Sequence, residues 1–252
     1  MKNKNSFKFY DKVAKKFGNY STGAKNTKEF REGDPEKDLF NLIKNYAKKS
    51  YRTLDIGCGD GRYTLKVAPL VKEIIGIDLA KKMLQSAEKL KRELKVINAE
   101  FKVGTAYKFN FLNNSFDIVI ARRSPYVPSQ VYRTLKFGGN FFTIGIGELD
   151  CKELKLTFGR GQNYGAWGIN RKLKAEAELE GSGMKIIFSK SYLYTEFYQD
   201  YYNLDLFLQG VPIFTDYDSE KDKPLLTEYV KKNKKQKGIS LPRHRYVIVA
   251  KK

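Results

Sequence analysis

One short segment constrains this chain more than any other: Leu54-Asp55-Ile56-Gly57-Cys58-Gly59-Asp60-Gly61-Arg62, an apolar strand signal that breaks into glycines at alternate positions and then opens a helical pattern over 61–70. Glycines at such a turn let the backbone reverse tightly and let a ligand approach the N–H groups at the start of the helix. A dinucleotide fingerprint requires G-x-G-x-x-G, and its third glycine would fall on Arg62. A Walker-type phosphate loop requires G-K-[ST], which does not follow. What remains is a glycine turn with an acid, Asp55, two residues ahead of it.

The turn belongs to a regular series. Strand-like runs at 53–56, 73–78, 99–103, 116–121 and 140–146 alternate with amphipathic stretches at 61–70, 80–93 and near 126–136. That spacing predicts a doubly wound α/β fold with a mostly parallel sheet covered on both faces. Further strands are expected near 184–189 and 245–250, which makes seven. Residues 7–20 place Tyr10, Val13, Ala14 and Phe17 on one helical stripe and predict a cap helix. Residues 196–209, with Phe197, Tyr198, Tyr201, Tyr202, Phe207 and Leu208, read as an aromatic helix. The organisation expected is a single domain over 1–252: an N-terminal cap at 1–50, a ligand-binding core at 51–192, a lid inserted at 193–241 and a last strand at 242–252.

The second strand ends on Asp78, in Ile75-Gly76-Ile77-Asp78. A carboxylate there can accept hydrogen bonds from both hydroxyls of a ribose, so a nucleoside-containing ligand is expected. Asp55 adds negative charge where an ammonium or sulfonium could lie.

Charge bears on the partner. The chain of 252 residues carries 48 Lys+Arg against 28 Asp+Glu, a net charge of +20, with +7 in residues 1–50 and +8 in residues 219–252. Such a surface attracts polyanions. Yet 37 of the 48 are Lys, and Arg is the residue shaped for bidentate phosphate contacts, so a general compositional bias accounts for the charge better than a nucleic-acid partner does. No apolar run is long enough to span a bilayer and no apolar signal core follows the start. With two cysteines, Cys58 and Cys151, a reducing compartment and a cytoplasmic protein without membrane contact are expected.

Read together, Asp55-x-Gly57-x-Gly59-x-Gly61, Asp78, Gly104-Thr105-Ala106, Asn114-Ser115-Phe116-Asp117-Ile118-Val119 and Leu135-Lys136-x-Gly138-Gly139 resemble the successive motifs of class I S-adenosylmethionine-dependent methyltransferases. The resemblance covers roughly residues 7–147; even Tyr10-Asp11-x-x-Ala14-x-x-Phe17-x-x-Tyr20 is similar to the family's N-terminal helix, which folds over the cofactor. It implies a Rossmann-like fold and S-adenosylmethionine as cofactor. Gly57, Cys58, Gly59 and Gly61 would form the cofactor loop, with Asp55 facing the methionine portion. Asp78 would hold the ribose and Leu79 would lie against the adenine, with Tyr20 near the cofactor. Thr105 stands where many relatives carry an Asp that touches the adenine amino group, so contact at Thr105 and Ala106 is expected to be weaker.

Acceptor residues of such enzymes usually follow the fourth strand, here Ala121-Arg122-Arg123-Ser124-Pro125-Tyr126. Arg122, Arg123 and Tyr126, with Tyr198 from the lid, are the candidate acceptor residues; Ser124-Pro125-Tyr126 only partly echoes the motif of base amino-methylating enzymes. Methylation at carbon 5 of a pyrimidine needs a cysteine nucleophile, and none lies near this loop. No metal and no particular general base are expected. His244, the sole histidine, opens the last strand in a packing role. Transfer of a methyl group to a small-molecule acceptor is the reading favoured. Transfer- or ribosomal-RNA methylation, and a non-catalytic cofactor- or nucleic-acid-binding protein, stand as alternatives. Monomer and homodimer are both open.

Overall fold

The computed structural model describes residues 4–18 and 21–252; within 4–18 the side chains described are those of residues 9, 10, 12, 13 and 15–18. The chain forms two compact units. The first, called the core unit here, comprises Asp34–Ile146, Arg171–Ser191 and Tyr246–Lys252. The second comprises the described residues of Met1–Gly33 together with Gly147–Asn170 and Tyr192–Arg245.

In the core unit, strands β2 (Arg52–Ile56), β3 (Glu73–Asp78), β4 (Ala99–Val103), β5 (Phe116–Arg122) and β6 (Leu135–Ile146) pair in parallel, β2 between β3 and β5. Helices α3 (Arg62–Val67), α4 (Lys81–Glu93), α5 (Pro128–Thr134) and α7 (Arg171–Gly181) occupy the connections, as parallel pairing demands. Two long strands, β7 (Lys185–Tyr198) and β9 (Gly238–Lys251), complete the order β7-β9-β6-β5-β2-β3-β4. The expected α/β sheet is therefore present, but β1 (Asn26–Phe30), paired with β7, and the two-residue β8 (Lys234–Lys235), paired with β9, bring it to nine strands where seven were expected. Its centre is dry, since Leu54, Ile56, Phe116, Val119 and Phe141 are fully buried. Helix α2 (Pro35–Tyr46) begins as its sequence dictates: Asp34 Oδ1 accepts the N–H of Glu36 at 2.9 Å, and Pro35 occupies the first turn, where its missing N–H is harmless.

The second unit holds α1 (Lys4–Phe17), the antiparallel pairing of β1 (Asn26–Phe30) with the end of β7, and helices α6 (Lys152–Phe158), α8 (Tyr201–Gly210) and α9 (Lys223–Asn233). Within α1 it is Phe9 and Val13 that are buried, while Tyr10 and Phe17 are half-buried; Ala14 and Tyr20 lie outside the described side chains. A helical segment does stand between the last two strands of the sheet. Its start differs from expectation, because Phe197 and Tyr198 belong to β7 and the helix begins only at Tyr201. Tyr192, Tyr194, Glu196 and Tyr198 alternate as buried positions with exposed or half-buried neighbours, a period of two that an aromatic-rich reading took for helix. Both final strands are also longer than expected; β9 begins at Gly238 and places His244 in mid-strand.

Candidate functional site

The site is assembled at the carboxyl ends of β2 and β3, where open α/β sheets hold ligands. Gly57, Gly59 and Gly61 adopt φ of 71°, 56° and 73°, left-handed values that glycine takes without steric cost. Two of them are also walled in. A Cβ on Gly57 would stand 2.0 Å from Ser124 Oγ, and one on Gly61 would stand 2.6 Å from the Phe101 ring and 2.7 Å from Ala87 Cβ. Gly59 is different: nothing lies within 4 Å of where its Cβ would be. The middle of the turn thus faces open space while its ends are packed, which is the shape of a cradle.

Asp78 ties the turn to the next strand. Its Oδ2 accepts the N–H of Gly59 and its Oδ1 accepts that of Ala80, both at 2.9 Å. Each carboxylate oxygen carries two lone pairs, the acceptor chemistry that a diol requires. The N–H groups of Gly57 and Cys58 both donate to Ile77 O, which fixes the turn against β3. Cys58 is buried, and burial pushes its thiol well above the ordinary range, so it is a packing residue of the turn. Beyond the turn, Leu79 is exposed, while Gly104 donates to Asp78 O and Thr105 Oγ1 accepts the Tyr107 N–H at 3.2 Å. Thr105 and Ala106 are both half-buried.

Asp55 is 2% exposed and accepts the Thr64 hydroxyl at 2.6 Å. Burial raises its pKa to about 6, offset in part by the Thr64 hydrogen bond and the positive charge of Arg122. A carboxylate so poised gains from a neighbouring cation. Arg122 is itself committed to Glu36 at the start of α2, Nε to Oε2 at 2.7 Å, with Arg123 on the other oxygen at 3.5 Å. The Arg122 guanidinium also lies over the Tyr63 ring at 5.1 Å.

The residues expected around the cofactor therefore converge in one unit: Asp55, Gly57, Cys58, Gly59, Gly61, Asp78, Leu79, Thr105 and Ala106. Tyr20 lies outside the described residues. The acceptor candidates fare differently. Arg122 and Arg123 are the partners of Glu36, and Tyr126 is half-buried with its ring 4.8 Å from Phe141. Tyr198 is corrected: it is fully buried, and its hydroxyl donates to Glu196 at 2.9 Å, so it offers nothing to an acceptor. Thr64, Tyr63 and Glu36 were missed, and Ser124, read only within a loop motif, stands against Gly57. No local pattern announces Glu36, which meets Arg122 across 86 residues.

An α/β sheet of this strand order, with a glycine turn after its central strand and a carboxylate closing the next, is the arrangement in which open sheets hold a ligand. The comparisons place it. Residues 47–155 match the family model of a methyltransferase domain. The chain is 36% identical over 125 residues to an uncharacterized methyltransferase, YcgJ, of Bacillus subtilis, covering 46% of this chain and 48% of that one. It is 32% identical over 101 residues to a demethylmenaquinone methyltransferase of Oceanobacillus iheyensis, covering 36% and 42%. The chain thus spans about half the length of these curated relatives. The crystal structure of YcgJ superposes with a TM-score of 0.61 at 23% identity, over 86% of this chain and 98% of that chain. A structure named as the [4+2]-cyclase SpnF superposes with a TM-score of 0.62 at 16% identity, over 98% and 95%. The chain is thus similar, over residues 47–155, to a methyltransferase domain, and the curated relatives above that it matches at 30% identity or more are methyltransferases by name.

Proposed function

We propose that the protein is a methyltransferase that takes S-adenosylmethionine as cofactor and methylates a small-molecule acceptor. The observation that carries this reading is the cradle itself, in which the unobstructed side of Gly59 and the acceptor capacity of Asp78 are joined by one hydrogen bond. Fold alone does not decide the reaction, as the cyclase superposition illustrates, so the residues must. They suit the group: Asp78 would hold the ribose, Gly57 to Gly61 would line the methionine portion, and the carboxylate of Asp55 would face its ammonium. When bound, the cofactor supplies a methyl group on a cationic sulfur. The chain's contribution is to bind, to orient and to exclude water. The small-molecule acceptor is supported by the demethylmenaquinone methyltransferase relative. We place the enzyme in the cytoplasm, because its two cysteines, Cys58 and Cys151, are free and buried, as suits a reducing compartment. The insertion between β7 and β9, with α8 and α9, is assigned to acceptor selection.

Calorimetric titration with S-adenosylmethionine and S-adenosylhomocysteine tests the cofactor; both are expected to bind at one site. Methyl label supplied to fractionated extract tests the acceptor, and label is expected in small molecules. Label found in RNA would overturn the small-molecule reading while leaving the cofactor site intact.

A further inference from the structure

One part of the second unit gathers cations around two buried carboxylates, Asp150 and Glu196. Arg243 and Arg245, on one face of β9, both donate to Asp150 Oδ1, at 2.9 and 2.5 Å. Arg243 also donates to Glu196 Oε2 at 2.5 Å, and Tyr198 donates to the same oxygen. Two guanidinium groups thus meet two carboxylates, with His244 beside them held neutral because burial lowers its pKa. Lys155 is the additional charge. It lies on α6, is 2% exposed, and has no carboxylate within 4 Å of its ammonium among the described residues, although Asp150 acts on it from further off. Desolvation lowers its pKa, and a buried ammonium left without a counter-ion is unfavourable.

The surroundings hold this lysine in place. The loop after α6 crosses its stem at Gly161, where a Cβ would stand 3.1 Å from Lys155 Cγ and 2.8 Å from the Phe214 ring. Gln162 N–H pins that loop to Ile213 O at 2.7 Å. The ammonium lies 5.7 Å from the ring centre of Trp167. Lys152, three residues earlier and on the same helix face, brings a second ammonium to 6.0 Å from the same ring. Tyr164 packs edge-on against the indole at 5.8 Å and steadies it. Two ammonium groups brought to one indole repel each other unless an anion joins them. Cation–π attraction is too weak to replace a counter-ion.

We propose that Lys155, Lys152 and Trp167 form a binding site for a small oxyanion, a carboxylate or a phosphate group. The two ammonium groups would donate to its oxygens while the indole packs against its body. This inference does not rest on the methyltransferase reading and fails or stands separately from it.

Trp167 is the chain's only tryptophan, so its fluorescence reports this site alone. The full chain is titrated with sodium acetate and with sodium phosphate, each against sodium chloride at matched ionic strength and pH 7. A saturable change in emission is expected with at least one oxyanion and not with chloride; which of the two acts identifies the group. Lys155→Met keeps the stem and removes the charge, and should raise the half-saturating concentration at least tenfold. Lys155→Met should also melt no lower than wild type, because it removes an uncompensated charge. Should Lys155→Met fail to fold, Lys152→Gln is the second variant, expected to raise the half-saturating concentration at least threefold. The proposal is overturned if no oxyanion gives a saturable change, or if the folded variant saturates at the wild-type concentration.

Discussion

The backbone N–H of Gly59 donates to Asp78 Oδ2 at 2.9 Å, so the residue expected to hold a ribose also holds the glycine turn. A side chain with both tasks cannot be removed without disturbing the empty protein. Asp78→Ala is expected to weaken S-adenosylmethionine binding by about 1.5–3 kcal/mol, the range for a lost charged hydrogen bond. It should also lower the stability of the ligand-free protein by about 1–3 kcal/mol, because the N–H groups of Gly59 and Ala80 lose their acceptor. Calorimetry and ligand-free denaturation measure the two effects; an unchanged ligand-free stability would confine Asp78 to the ligand.

The glycines of the turn should respond differently to the same substitution. At Gly59 a methyl group meets only the left-handed backbone penalty, about 1–2 kcal/mol, so Gly59→Ala should fold and bind the cofactor poorly. At Gly61 the methyl group also strikes Phe101 and Ala87, adding about 1–3 kcal/mol of overpacking, so Gly61→Ala should lose stability first. Thermal melts beside cofactor titrations separate the two outcomes.

Asp55 gives the protein a pH signature. Its folded pKa, about 6, exceeds the ordinary carboxylate value of 3.8, so the folded state holds the proton more tightly. The stability linked to it is fully present below about pH 3.8 and is lost as pH rises through about 6, a fall on the order of 3 kcal/mol. Asp55→Asn should flatten the denaturation profile across that window and bind the cationic cofactor less well. Cofactor binding to the wild type at pH 5.5 should release a proton, read from calorimetry in buffers of different ionisation enthalpy.

Arg122 lowers the pKa of Asp55 while pairing with Glu36. Arg122→Ala should therefore move the Asp55 midpoint above about 6. Both partners are about 30% exposed, which limits the pair itself to about 1 kcal/mol. A double-mutant cycle with Glu36→Ala, followed by denaturant unfolding, measures that coupling.

In the second unit, Asp150 is expected to matter for folding alone. Arg243 and Arg245 hold its carboxyl far below the usual range against the opposing effect of burial. Asp150→Asn leaves two buried guanidinium groups short of a carboxylate and should cost about 3–5 kcal/mol in denaturant unfolding.

Local chemistry was legible in the sequence because its rules are local. Glycines at 57, 59 and 61, an acid two residues ahead and a carboxylate closing the next strand are set by spacing along one strand-turn-helix unit, and alternation of strands with helices sets the parallel sheet. The tertiary structure alone decided the rest. Tyr198 reads as one more ring of an aromatic helix, yet pairing with β1 makes it a strand residue, with its hydroxyl on Glu196. Arg122 reads as a free cation until Glu36 arrives from 86 residues away. Arg243 finds Asp150 across 93 residues, and Lys155, apparently one more surface lysine among 37, is enclosed by a loop that only the packed chain brings over it. Spacing encodes what neighbours along the chain must do; burial and charge pairing depend on which distant segments fold against them, and no short-range pattern carries that information.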